Sequence, residues 1–157
     1  MDKLLLPHLG ALFLVLVSCS TTPPGSPETA PLGPQVLSGE VQQAAMSGTV
    51  RFREHVAPIL EMRCLPCHHG PTLPGLFSMT SRAEAFQPGP SGARIVPGHP
   101  EQSLLFLNPS GTHQAVQAMP PAGNRLTEND LAVLRRWIAQ GAAWPEGPAG
   151  TLAAPAE

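Results

Sequence analysis

The chain reads as a small domain of short helices joined by long loops, and three observations lead there. Two stretches space their apolar residues for a helix, Phe52 to Met62 and Leu131 to Ile138. The first runs straight into Cys64-Leu-Pro-Cys67-His68. The remainder is thick with breakers, 20 prolines and 15 glycines in 157 residues, which leave helices only in short pieces.

In the first helix, Phe52, Val56, Ile59 and Leu60 share one face. Pro58 falls inside it, so the helix kinks there or begins near Val56 with Pro58 in its first turn. His55 points away from the apolar stripe and is expected in solvent. The last helix is the clearest. Thr127-Glu128-Asn129-Asp130 resembles a capping box, with Asp130 in place of the usual glutamate. Leu131, Leu134, Trp137 and Ile138 form its stripe. Arg135 and Arg136 suit the negative end, and Gly141 stops it. Ser81 to Phe86, Pro100 to Leu107 and Val36 to Met46 are candidates for further short helices. No internal repeat is present.

Two cysteines three apart with a histidine directly after the second form a c-type haem attachment site. Each thiol, Cys64 and Cys67, can add to one vinyl group of the porphyrin, and His68 is then held under the iron as proximal ligand. The motif occurs once, which predicts one covalent haem c. A redox cysteine pair would want a preceding strand. A structural zinc site would want two more ligands, and His69 is too close to His68 while Cys19 lies far upstream. A disulfide between Cys64 and Cys67 would close a very tight loop.

Residues 1–18 carry a short apolar core behind Lys3 and read as a signal peptide. The uninterrupted run Ala11 to Val17 is too short to cross a bilayer. Leu16-Val17-Ser18-Cys19 looks like the lipobox of bacterial lipoproteins, which implies cleavage before Cys19 and acylation of its thiol. Several acyl chains on one residue would anchor the protein stably. Export agrees with haem attachment outside the cytoplasm, and no thiol is left unexplained. Residues 19–48 follow as a proline-rich tether expected to be disordered. The folded domain is expected over 49–146 and a disordered tail over 147–157. With aromatic residues at 4%, a domain this small is expected to lean on a buried porphyrin for its core and to be largely unfolded without it. Net charge is −2 and no basic patch is present to bind nucleic acid.

Met119, in Met119-Pro120-Pro121 just before the last helix, is the expected second axial ligand. The two prolines restrict the backbone and pre-set the sulfur. A Met/His pair raises the potential relative to other ligations. Met79, His99 and His113 are rivals, and an open sixth position is the remaining possibility. His69 is expected at the haem edge. The proximal His68 should donate its free ring N–H to a backbone carbonyl, that of Pro71 or Pro74. Arg94 and Arg125 are candidates to pair with the propionates.

These residues resemble the planctomycete-type cytochrome c domain, a branch of the single-haem class I cytochromes. The stretches carrying the likeness run from Phe52 to Pro145: Val56-Ala57-Pro58-Ile59-Leu60, Cys64 to His68, Ser91-Gly92, Ile95-Val96-Pro97-Gly98 and Pro100 to Leu105. Met119-Pro120-Pro121, Leu134 to Ile138, Gly141-Ala142 and Trp144-Pro145 complete the set. The resemblance implies an all-α cytochrome c-like fold, three to five short helices around one haem, with His68 and Met119 as axial ligands. The family usually carries a charged pair after Gly-Gly-Leu, where this chain reads Gly75-Leu76-Phe77-Ser78-Met79. The expected function is a monomeric single-electron carrier, lipid-anchored and facing the periplasm of a bacterial envelope, with redox proteins as partners. The alternative is a haem enzyme or ligand sensor with an exchangeable sixth iron position.

Overall fold

The computed structural model describes residues 36–70, 77–111, 119–120 and 124–153. Among these the regular structure is helical: α1 Gly39–Ser47, α2 Ala57–Arg63, α3 Arg82–Ala85, α4 Leu104–Leu107 and α5 Glu128–Ala139. No strand forms among the described residues, and the fold is all-α with long connecting loops. None of these helices is long and apolar enough to cross a membrane.

Of the two sequence alternatives for the first helix, the start near Val56 with Pro58 in the first turn is the one realised. Phe52–Val56 winds as a π-turn, with the Ala57 N–H reaching the Phe52 carbonyl, and α2 then starts with Pro58 in its first turn. Proline there gives up an N–H that has no intrahelical partner anyway. The wider turn swings His55 inward. Its side chain is buried, and Nδ1 accepts the Arg51 N–H at 2.8 Å. The expectation of a solvated His55 is therefore corrected: it assumed the 3.6-residue period, which the π-turn breaks. Burial pushes its pKa down, and the adjacent Arg51 charge acts in the same direction.

The capping box of α5 forms as read. Thr127 Oγ1 accepts the Asp130 N–H at 3.1 Å, and Asp130 Oδ2 accepts the Thr127 N–H at 3.0 Å. A second box, Ser81 with Glu84, starts α3. The stretch expected as one helix over 100–107 is split into a 3₁₀ turn Pro100–Gln102 and α4. Ser103 divides them because its hydroxyl is engaged elsewhere, accepting the Val96 N–H at 2.9 Å and donating to the His99 carbonyl at 2.9 Å.

Two domain boundaries are corrected. The folded part begins by Leu37, not at 49: α1 is capped by Ser38, Leu37 and Ala45 are buried, and α1 packs on α5. At the far end of α1, Arg136 and Gln140 of α5 donate to the Gly48 carbonyl at 3.1 and 3.2 Å. The C-terminal segment is also built into the fold through Leu152. Gly147–Gly150 forms a 3₁₀ turn, Trp144 Nε1 donates to the Gly150 carbonyl at 2.7 Å, and the Leu152 N–H reaches the Thr80 carbonyl at 2.8 Å. Alanine, proline and glycine composition read as disorder, yet the backbone here finds partners on distant elements. These two segments enlarge the core beyond what aromatic content suggests. Its centre is Phe52, Trp137 and Trp144, with ring centroids 4.3–6.1 Å apart.

Candidate haem site

The site begins where α2 ends. The Cys64 N–H still bonds to the Leu60 carbonyl at 2.9 Å, and the Cys64 carbonyl then accepts from both Cys67 (3.1 Å) and His68 (2.9 Å). This extra turn puts residues 64, 67 and 68 on one face, as positions i, i+3 and i+4 must be. All three side chains line one cavity of about 540 Å³. Met119 lines the same cavity, as do Phe77, Met79, Leu104, Leu105 and Leu126. A mostly apolar wall with a few convergent polar groups is how cofactor pockets are made.

Electrostatics at the motif favour the neutral ligand forms. His68 is shifted below the ordinary imidazole value, chiefly by burial; the Phe77 backbone pulls the other way, and the Arg94 charge adds a smaller downward push. A neutral imidazole is the form that binds metal. Among the described residues its buried Nδ1 has no partner at full hydrogen-bond geometry, and the Phe77 backbone lies near the imidazole. Pro71 and Pro74 lie outside the described residues. Burial pushes the Cys64 thiol up to about 12, Asp130 and Cys67 add to this, and Arg63 opposes it. Redox-active cysteines have lowered pKa values, so this environment does not suit dithiol exchange. No disulfide joins Cys64 and Cys67. Among the described residues no three His, Cys, Asp or Glu side chains gather to hold a bare metal ion.

The rival ligands separate by position. Met79 is buried in the cavity wall, and its N–H donates to the His68 carbonyl at 2.8 Å. His99 is exposed and pairs with Glu101 at 3.0 Å, away from the cavity. His113 and Cys19 lie outside the described residues. His69 is exposed, with Nδ1 2.7 Å from the Leu65 carbonyl. Of the two arginines proposed for propionates, Arg94 lines the cavity and Arg125 does not.

Sequence reasoning missed Arg63. It is buried against the cavity, 3.5 Å from Asp130 Oδ2, and it donates to Asn124 Oδ1 at 2.6 Å. Asn124 in turn donates to the Met62 carbonyl at 2.7 Å. The network ties the end of α2 to the start of α5, on either side of the motif. A charged residue directly before Cys64 and an acid at the third position of α5 were the only available signals.

The residues present suit a porphyrin. Two thiols and an imidazole meet in one apolar cavity, while His68 Nδ1 and Asn108 Oδ1 beside it are buried without partners among the described residues. Residues 64–123 match the model of the family described as Planctomycete cytochrome C. That segment is a planctomycete-type cytochrome c domain, and the protein is a cytochrome-type haem protein, for which the family implies haem c. The match begins at the first cysteine of the motif and ends short of α5, inside the wider likeness read from Phe52 to Pro145. No curated protein and no solved structure matches the chain.

Proposed function

We propose that the protein is a single-electron carrier holding one haem c through thioether bonds from Cys64 and Cys67. When bound, the haem would supply a one-electron couple between a reduced and an oxidised protein partner. The chain's residues do the rest. His68 and Met119, which line the same cavity, would hold the iron. The apolar wall keeps water from the metal, and two permanent ligands keep reorganisation small. Met79 is a weaker choice because its backbone is fastened to His68, on the proximal side of the cavity. The supporting observation is one cavity lined by Cys64, Cys67, His68 and Met119 together. The lipid on Cys19 and the chain that follows it keep this monomer at the membrane, facing the periplasm, within reach of its redox partners.

The test is the absorption spectrum of exported holoprotein. The ferric form should be low-spin with a weak near-infrared band from the methionine sulfur. Met119→Ala should lose that band while mass spectrometry still finds the haem adduct. An unchanged low-spin spectrum in Met119→Ala refutes the ligand. A high-spin parent that reacts with carbon monoxide or peroxide would favour the enzyme or sensor instead.

A further inference from the structure

Arg94 is not held as surface arginines usually are. Its Nη1 donates to two main-chain carbonyls, Glu84 at 3.1 Å and Gln87 at 2.7 Å. No carboxylate among the described residues pairs with it. Its guanidinium carbon sits 3.9 Å from the centroid of the Phe77 ring, and that ring lies 4.2 Å from the centroid of His68, tilted by 30°. Both Arg94 and Phe77 line the cavity. A cation anchored by carbonyls keeps its full charge. Beside an apolar wall that charge is poorly screened.

We propose that Arg94, one aromatic ring removed from His68, sets the midpoint potential upward by opposing positive charge on the iron. This rests on His68 as the proximal ligand. The ferric state carries one more positive charge than the ferrous, so a fixed cation nearby favours the electron's arrival. Phe77 acts as a dry spacer: it holds the guanidinium by cation–π attraction and keeps water from between the two groups. Arg94 is a positioning residue of the electric field rather than a ligand.

The experiment is a potentiometric titration of exported, full-length holoprotein and three variants, with the spectrum recorded for each. Arg94→Gln should lower the equilibrium constant for reduction about tenfold, about 59 mV for one electron. Phe77→Ala should lower it by less, since the charge stays but water enters. Arg94→Lys should stay near the parent. The ligand bands should be the same in all four proteins. A haem-bearing Arg94→Gln protein with the parent potential overturns the inference. Arg94→Lys falling as far as Arg94→Gln overturns it too, because the hydrogen bonds and not the charge would then be responsible. A protein with no haem adduct refutes the haem reading and the inference with it, and is told apart by mass spectrometry.

Discussion

Around Phe52, Trp137 and Trp144 the chain closes on itself, and around His68 it does not. On the aromatic side the polar groups are matched: Trp137 Nε1 donates to the Ala143 carbonyl at 3.0 Å and Trp144 Nε1 to the Gly150 carbonyl at 2.7 Å. On the cavity side about 540 Å³ stays open, and His68 Nδ1 and Asn108 Oδ1 are buried without partners among the described residues. Unpaired buried polar atoms cost free energy. A sequence tolerates them where a ligand completes the site. The contrast divides the labour: the aromatic side supplies the frame, and the cavity side is shaped for a guest.

Deleting the centre of the frame should give the largest effect. Trp137 is 1% exposed and packs against both Phe52 and Trp144. Trp137→Ala should cost about 3–5 kcal/mol, read from denaturant unfolding followed by circular dichroism. A loss below about 1 kcal/mol would mean that the cavity side and its haem carry the stability, which reverses the comparison.

A smaller change tests whether the C-terminal segment belongs to the frame. A Cβ on Gly150 would lie 1.7 Å from the Pro145 carbonyl oxygen and 3.0 Å from the Trp144 ring. Backbone would have to move to make room. Gly150→Ala should cost about 1–3 kcal/mol, the range for overpacking, and loosen the contact of Leu152 with Thr80. Thermal unfolding measures the first, and hydrogen exchange at the Leu152 amide the second. A variant as stable as the parent would show the segment to be dispensable.

What could be read in advance follows from how local each feature is. Cys64 to His68 and Thr127 to Asp130 are complete within one helical turn, so spacing alone exposes them. The C-terminal segment was misjudged because its partners are remote: Leu152 is held by Thr80, and the carbonyls of Pro148 and Thr151 by Arg53. Arg63 was invisible for the same reason, as its charge is answered by Asp130 on another helix. Helix α1 reads in the sequence as a short helical stretch within the expected tether. Nothing local shows that Arg136 and Gln140 receive its C-terminal end. His55 failed differently, since one π-turn moved it from the outer face to the inner. Met119 lies between these cases. Its two prolines are local, but it faces the cavity only because the loop before α5 returns to α2.

The finest test falls on the wall between the two sides. Glu84 Oε2 accepts from the hydroxyls of Thr80 (2.7 Å), Ser78 (2.9 Å) and Ser81 (3.0 Å) and from the Ser81 N–H (3.1 Å). This one carboxylate fastens 78–81, which carries Met79 into the cavity wall, to the start of α3. The bonds, that from Thr80 foremost, together hold its carboxyl below the ordinary value of 4.5, against the opposing effect of burial. The folded pKa is thus the lower of the two, and the unfolded chain binds a proton first on acidification. The stabilisation is fully present above about pH 4.5 and is lost as pH falls through the folded value. Glu84→Gln should flatten this part of the acid limb, leaving stability less dependent on pH as it falls below about 4.5. If the parent and Glu84→Gln lose stability in parallel over that range, the carboxylate does not fasten the wall. The cavity side must then be ordered by its guest rather than by its own hydrogen bonds.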